Sequence, residues 1–215
     1  MNKMTEQMRR ELERLALLRE DEIDTIDLPE EIDWSKGQRS RFNHRPLSKR
    51  NYDVRALANW FIDQMSVAGR TVTNLSLNKL VYFAVERFLI ERNVLLTQAK
   101  IEAWQYGPVF REIYHALSKN ENDTIKQKIS RFSIEDRKMV IANADIKPED
   151  VDFLSEMIDT YGKLTGGQLT NLSHKDAEPW SFVWNYRGRI NPGMEISTEI
   201  ILNKAPKKRI FNDRK

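Results

Sequence analysis

The stretch from Leu75 to Leu117 constrains the fold of this 215-residue chain more than any other part of it. It contains an apolar segment, a short connection, a Trp-x-Tyr-Gly-Pro turn and a second amphipathic segment, and reads LSLNKLVYFAVERFLIERNVLLTQAKIEAWQYGPVFREIYHAL. The apolar positions of its first part recur at helical spacing, at Leu77, Leu80, Val81, Ala84, Val85 and Phe88. A helix that is apolar over so wide an arc belongs in the centre of a domain. We therefore expect a mainly α-helical body that is built around this stretch.

The Tyr-Gly-Pro turn predicts the start of the next helix. Gly107 permits backbone conformations that other residues resist, and Pro108 suits the first position of a helix because its missing N–H would have no partner there. The inward face of that helix would consist of Val109, Ile113, Tyr114 and Leu117. Before the turn, residues 100–104 alternate weakly between polar and apolar side chains, which is consistent with a short strand.

The remaining helical signals lie on both sides of this stretch. Asp53 is a candidate N-cap for a helix that ends at Gly69, and Pro148 opens another that stops at Gly162. Shorter helices are predicted after Thr165, at Pro179 and after Ser197. The signal is weakest over residues 124–145, where a helix or strand near 125–132 and a strand at 138–141 are expected. The prediction is a compact helical domain over residues 51–203 with at most a few short strands.

Residues 1–50 are predicted to form an N-terminal extension, with an amphipathic helix at 3–19 followed by a flexible charged linker. The helix carries an apolar stripe that would pack on its own domain, self-associate or dock into a partner's groove. Residues 20–33 hold eight acidic side chains and no basic one, whereas residues 36–50 hold six Lys or Arg and no acidic one. Residues 204–215 form a basic tail. Charge segregated in this way is typical of solvated segments, and a charged partner is the sharper alternative.

Composition excludes several classes of site. The chain has no cysteine, so disulfides, zinc–thiolate sites and a Cys nucleophile are ruled out. We find no signal peptide and no apolar run long enough to span a membrane, and we expect a cytoplasmic protein. Neither the three histidines nor the Gly166-Gly167 pair occurs in a recognised metal or phosphate-binding pattern. We predict no catalytic residues, no cofactor and no metal, and hence no enzyme.

Aromatic residues with polar tips are the candidate binding groups: Trp104, Tyr106, His115, His174, Trp180 and Trp184. Such side chains are more often core members whose N–H or O–H reaches a carbonyl group than ligand contacts. They are also favoured as anchors at protein interfaces. A nucleic-acid-binding regulator that uses the basic linker and the basic tail is the alternative function, and its phosphate contacts would depend strongly on salt.

Several motifs occur in an order that matches a known family. They are Ala58-Asn59-Trp60-Phe61-Ile62, Leu77-Asn78-Lys79-Leu80-Val81-Tyr82-Phe83-Ala84, Ile101-Glu102-Ala103-Trp104-Gln105-Tyr106-Gly107-Pro108-Val109, Ile113-Tyr114, Leu172-Ser173-His174 and Pro179-Trp180. The span from Tyr52 to about Leu202 resembles the Panacea domain, the SocA-like antitoxin domain that also occurs in phage-associated GepA-type proteins. The sequence departs from the family pattern at Asn78 and at 85–87, where we expect an effect on surface chemistry more than on the fold.

The resemblance implies an antitoxin that neutralises a cognate toxin protein by direct contact, and in some relatives an adaptor that presents the toxin to a protease. It implies no catalytic residues. The contact residues that we predict from the sequence are Met8, Leu12, Leu15, Trp34, Tyr106, Arg111 and Trp184. The positions that carry the family motif are Trp104, Tyr106, Gly107, Pro108, His174, Pro179 and Trp180.

Overall fold

The computed structural model describes residues 47–120 and 123–207. The helices in these ranges are α1 (Val54–Val67), α2 (Asn74–Arg92), α3 (Arg111–Ala116), α4 (Pro148–Tyr161), α5 (Gly166–Ser173), α6 (Pro179–Trp184) and α7 (Thr198–Lys204). The strands are β1 (Ser48–Lys49), β2 (Val94–Leu95), β3 (Ile101–Trp104), β4 (Gly107–Phe110), β5 (Ser130–Ser133), β6 (Lys138–Ile141) and β7 (Met194–Glu195). The prediction of a mainly α fold with a few short strands is confirmed. The predicted helix at 3–19, most of the linker and most of the basic tail lie outside the described residues.

Helix α2 lies at the centre of the domain, as its apolar arc predicts. Thr73 and Ser76 form a reciprocal capping box at its start, and Asn93 ends it in the left-handed conformation with φ of 54°. Every residue from Leu77 to Leu89 is buried. Because a helix buried on all sides has no solvated face, each of its polar side chains needs a partner inside the protein.

The other elements pack around α2. Helices α1, α4 and α5 and strand β4 all contact it. The Phe83 ring stacks on that of Tyr161 with centroids 4.9 Å apart, and the Phe88 ring meets that of Phe153 edge-on at 5.1 Å. These aromatic pairs join α2 to α4 in the core.

The predicted helix start at Pro108 is wrong, because residues 107–110 form strand β4. Strand β4 pairs antiparallel with β3, with Trp104 opposite Gly107 and a two-residue loop between them, and β7 pairs with the other side of β3. Proline is tolerated in this strand because β4 lies at the sheet edge, where a missing N–H need not break the ladder. The helix begins at Arg111, and Tyr114 is partly exposed instead of facing inward.

A second hairpin is formed by β5 and β6. The predicted strand at 138–141 is confirmed, and the alternatives left open at 125–132 resolve into a strand that begins at Ser130. The buried side chain of Asn59 holds the base of this hairpin. Its Nδ2 donates to the carbonyl oxygens of Ile129 and Ala142, both at 2.8 Å, and its Oδ1 accepts from the Ile129 N–H at 2.7 Å.

Ordered contacts of the domain begin before residue 51. Strand β1 pairs in parallel with β2. The Arg50 Nε lies 2.6 Å from Oδ2 of the buried Asp150, and the Tyr52 hydroxyl donates to the same oxygen at 2.8 Å. Burial alone would raise the pKa of Asp150, but the hydrogen bonds from Arg50 and Tyr52 lower it below its ordinary value. This ion pair fastens the start of the domain to α4.

No helix in the described ranges is long and apolar enough to cross a membrane.

Candidate partner-binding surface

The Tyr-Gly-Pro turn rests on a buried lysine. The side chain of Lys79 is fully buried, and its Nζ donates to the Pro108 carbonyl oxygen at 2.9 Å. Burial lowers the pKa of Lys79 to about 7, because a low-dielectric site disfavours the charged amine. Strand β4 of the hairpin is therefore bonded to the central helix α2 through the amine of Lys79, whose charged form is costly to bury.

Gly107 is required by this arrangement. Its φ is +100°, and a Cβ at this position would lie 2.7 Å from Lys79 Cε and 2.7 Å from Ser173 Oγ. Both the backbone conformation and the available space therefore exclude a side chain. The turn, the lysine of α2 and the end of α5 meet at this point.

Asn78 supplies a second tie between α2 and the hairpin. Its Oδ1 accepts from the Phe110 N–H at 3.0 Å, and its Nδ2 donates to Asn74 Oδ1 at 2.9 Å. The expectation that Asn78 and residues 85–87 affect surface chemistry is wrong, because all four side chains are buried. Arg87, for example, donates to the carbonyl oxygens of Pro206 and Lys207 at 2.7 and 2.8 Å.

The tryptophans of the motif are partly core residues. Trp180 is buried and its Nε1 donates to the Trp104 carbonyl oxygen at 2.8 Å, while Trp104 Nε1 donates to Glu102 Oε2 at 3.0 Å. Glu102 is itself buried and lies 3.8 Å from the Arg111 guanidinium. Both indole N–H groups are thus satisfied within the protein, as expected for buried tryptophans.

Three rings form a stacked column, with the buried Trp180 in the middle and the half-buried His174 and Trp184 at its ends. The His174 ring stacks on Trp180 at 3.6 Å, and Trp180 on Trp184 at 5.4 Å. Burial lowers the pKa of His174, and the charge of Lys79 lowers it further, so the imidazole is neutral near pH 7. His174 Nε2 is buried without a hydrogen-bond partner among the described residues.

Two predicted contact residues, Tyr106 and Arg111, are exposed. Tyr106 is 63% exposed at the tip of the β3–β4 hairpin, and the Arg111 side chain is 59% exposed. The Trp104 ring meets that of Tyr114 edge-on at 4.8 Å, and Trp184 is half-buried. We refer to Trp104, Tyr106, Arg111, Tyr114 and Trp184 together as the tip surface. Aromatic and arginine side chains of this kind are the usual anchors of protein interfaces.

The other predicted contacts are not placed by the structure. Met8, Leu12, Leu15 and Trp34 lie outside the described residues, as does most of the basic linker and tail. Of the basic side chains that are described, Arg50 is engaged by Asp150, and the Lys204 Nζ lies 4.4 Å above the Phe182 ring centroid. These two are occupied within the domain instead of forming a free basic stripe.

Sequence reasoning assigned no role to four buried polar residues, of which Asn78 and Lys79 hold the hairpin of the candidate site and Asn59 and Asp150 hold other parts of the domain. Two of them, Asn78 and Lys79, were signalled by their position in the stretch from Leu77 to Val85, whose other side chains are all apolar or aromatic. A polar side chain at such a position is buried, and a buried polar group has a partner. The identity of that partner depends on tertiary contacts more than 25 residues away, such as Pro108 for Lys79.

The chain is similar to known antitoxins. Residues 77–181 match the family model described as "Antitoxin SocA-like, Panacea domain". The chain is 29% identical over 165 residues to "Antitoxin SocA" of Caulobacter vibrioides (strain NA1000 / CB15N), with 74% of this chain and 86% of that protein covered. No solved structure matches it. The matched range includes Lys79 and Trp180, which bond to the main chain of the β3–β4 hairpin, and all residues of the tip surface except Trp184.

We expect Gly107→Ala to destabilise the domain more than Gly69→Ala does. Gly69 also has a positive φ, of +69°, but a Cβ there meets nothing within 4 Å, so its replacement costs about 1 kcal/mol for the left-handed conformation alone. At Gly107 the clash with Lys79 and Ser173 adds about 1–3 kcal/mol. Urea unfolding of both variants measures the difference. Equal losses would show that the turn has room for a side chain.

We expect the free energy of unfolding to rise with pH above pH 7 because of Lys79. In the unfolded chain this lysine keeps its proton up to its ordinary pKa of 10.5, whereas in the folded protein the pKa is about 7. Between these values the unfolded state binds more protons, so stability increases with pH by at most about 1.4 kcal/mol per pH unit.

The measurement is urea unfolding of the wild type and of Lys79→Met at pH 7, 8 and 9, a window that lies above the His174 titration. The slope should be smaller in Lys79→Met and unchanged in Lys163→Met, which removes an exposed lysine. Parallel curves for the wild type and Lys79→Met would contradict the assignment.

Proposed function

Because the chain carries a SocA-like Panacea domain and belongs to that family of antitoxins, we propose that it is a cytoplasmic antitoxin that neutralises a cognate toxin by binding it directly. The observation that carries this proposal is the family match, which includes Trp104, Tyr106, Arg111 and Tyr114 of the tip surface. Tyr106 is exposed in the loop between β3 and β4, and the main chain on either side of this loop accepts hydrogen bonds from Trp180 at Trp104 and from Lys79 at Pro108. Arg111, directly after β4, is also exposed.

The geometry favours occlusion of the toxin surface. An interface gains affinity when its anchors are held in place before binding, because less conformational freedom is then lost on association. The hairpin tip meets this requirement, since both of its strands are bonded to buried groups of α2 or α6. Delivery of the toxin to a protease is the alternative mode, and it would lower the amount of toxin in the cell instead of only its activity.

The mechanism we propose is stoichiometric and assigns no chemical reaction to the chain. Increasing amounts of the protein should therefore abolish toxin activity with an end point near one equivalent per toxin. Neutralisation at a small fraction of an equivalent would point to an enzyme and would contradict this part of the proposal.

We expect substitutions on the tip surface to weaken neutralisation. The probe is the product of the adjacent reading frame, co-expressed with the chain in a bacterial host and assayed by growth. Tyr106→Ala and Arg111→Glu should each weaken binding at least tenfold, about 1.4 kcal/mol, because anchor residues at interfaces commonly contribute more than 1 kcal/mol.

The matched control is Val67→Ala, which alters a side chain that is 83% exposed at the end of α1. It should leave both growth rescue and affinity unchanged. If the wild-type chain neither binds the probe nor restores growth, the proposed function is wrong for this pair. If the wild-type chain binds the probe and restores growth, but the tip-surface variants behave like Val67→Ala, the antitoxin function is supported and the tip surface is not the binding site.

We also expect deletion of residues 1–45 to weaken toxin binding at least tenfold. This deletion removes Met8, Leu12, Leu15 and Trp34 and retains the paired strand β1 and the Arg50–Asp150 ion pair. The melting temperature should therefore change little. Isothermal titration of both forms with the same probe measures the effect, and equal affinity would remove the extension from the mechanism.

A further inference from the structure

The β5–β6 hairpin presents an apolar face that is not part of the tip surface. Phe132 lies directly opposite Met139, and Ile141 lies opposite Ser130 on the same face, because residues two apart in a strand point to the same side. Phe132, Met139 and Ile141 are 57, 62 and 52% exposed. Neighbouring exposed apolar side chains of this size mark interaction sites.

The hairpin is held so that this face points outward. On the opposite face, Arg131 Nε lies 3.9 Å from Asp53 Oδ2, Val140 is half-buried and Ser133 is buried. That side is thus turned towards the domain. The base is fixed by the three hydrogen bonds of Asn59 to main-chain atoms of Ile129 and Ala142. The outward face is therefore held in place before any partner binds.

The outer edge of β6 is open. The Ala142 N–H donates to the Ile129 carbonyl oxygen at 3.0 Å, so the pair Val140–Arg131 also exchanges hydrogen bonds and the pairs Met139–Phe132 and Ile141–Ser130 do not. The main-chain groups of Met139 and Ile141 consequently point away from β5. In the described part of the chain this sheet has two strands and no third strand pairs with either. An edge of this kind accepts an added strand.

The excess of basic side chains in and around the hairpin favours a binding segment that carries acidic side chains. Residues 124–142 contain five basic side chains, Lys126, Lys128, Arg131, Arg137 and Lys138, and two acidic ones, Glu135 and Asp136. On the face opposite to Phe132 and Met139, Arg131 already lies near Asp53, whereas the Lys138 side chain is exposed. A strand with apolar side chains on one face and acidic side chains on the other therefore complements both faces.

We propose that the outer edge of β6 takes up an extended segment of the toxin that alternates apolar with acidic side chains, and that this segment adds as a third strand. The inference rests on the proposed function, since it assigns a site to the toxin. The segment pairs with the outward main-chain groups of Met139 and Ile141, its apolar side chains continue the face of Phe132 and Met139, and its acidic side chains meet Lys138 of β6. The tip surface and this edge would then hold the toxin at two places.

The direct test is amide hydrogen exchange by NMR on the full chain, alone and with the product of the adjacent reading frame. The N–H groups of Met139 and Ile141 should exchange quickly in the free protein and become protected in the complex. Val140, whose N–H is already bonded to β5, serves as the internal control. If the Met139 and Ile141 amides exchange equally fast in the complex, no strand adds to β6 and the proposal is overturned.

Variants provide an independent test. Met139→Glu and Ile141→Glu replace exposed side chains, so the fold should be retained, while binding of the same probe should fall at least tenfold. Lys138→Glu should weaken binding most at low salt, because it reverses a charge that attracts the acidic face. Val67→Glu, a change to an exposed side chain of α1, is the matched control and should bind like the wild type.

The outcomes separate this proposal from the proposed function. Loss of affinity in Tyr106→Ala with full affinity in Met139→Glu and Ile141→Glu would leave the antitoxin function standing and overturn the strand addition. Absence of binding by the wild type would overturn both. If the chain forms a concentration-dependent dimer and Ile141→Glu abolishes it, the edge of β6 binds a second copy of the chain. If the chain binds duplex DNA and Lys138→Glu abolishes this binding, the edge binds nucleic acid. Either result contradicts the proposal.

Discussion

The burial of α2 on every side is the constraint on which the rest of the structure depends. A central helix with no solvated face cannot leave its polar groups in water, so each of them must bond to another part of the chain. Asn74 donates to the Tyr114 carbonyl oxygen, Lys79 to that of Pro108, and Arg87 to those of Pro206 and Lys207. The polar side chains of one helix thereby hold α3, the first hairpin and the end of α7 in place.

The elements that sequence reasoning found are those with a local cause. The apolar arc of α2, the N-cap Asp53, the helix start after Thr165 and the Pro148 helix start all act within a few residues, and all are present in the structure. Pro108 was misassigned because a proline after glycine suits a helix start as well as an edge strand, and only pairing with β3 decides between them. The choice between a helix start and an edge strand therefore depends on tertiary contacts, and a local sequence pattern cannot predict it.

For the same reason, only part of the candidate site could be predicted from the sequence. Tyr106 and Arg111 could be proposed from residue type, and both are exposed. Lys79 and Asn59 could not, since their roles depend on partners 29 and 70 residues away. The exposed face of β5–β6 was also missed, because strands of four residues carry too few alternations to distinguish a face turned outward from one turned inward.

Both hairpins are bonded at main-chain atoms by buried polar side chains of the helices. The hydrogen bonds of Lys79 and Asn59 to the hairpins go to carbonyl oxygens or N–H groups, and the one side-chain requirement that Lys79 adds is a glycine at 107. Mutations at the outward positions therefore leave the anchors untouched. A lineage can change which protein it recognises by exchanging a few such residues, while selection on folding continues to act on the buried amide and amine groups beneath them.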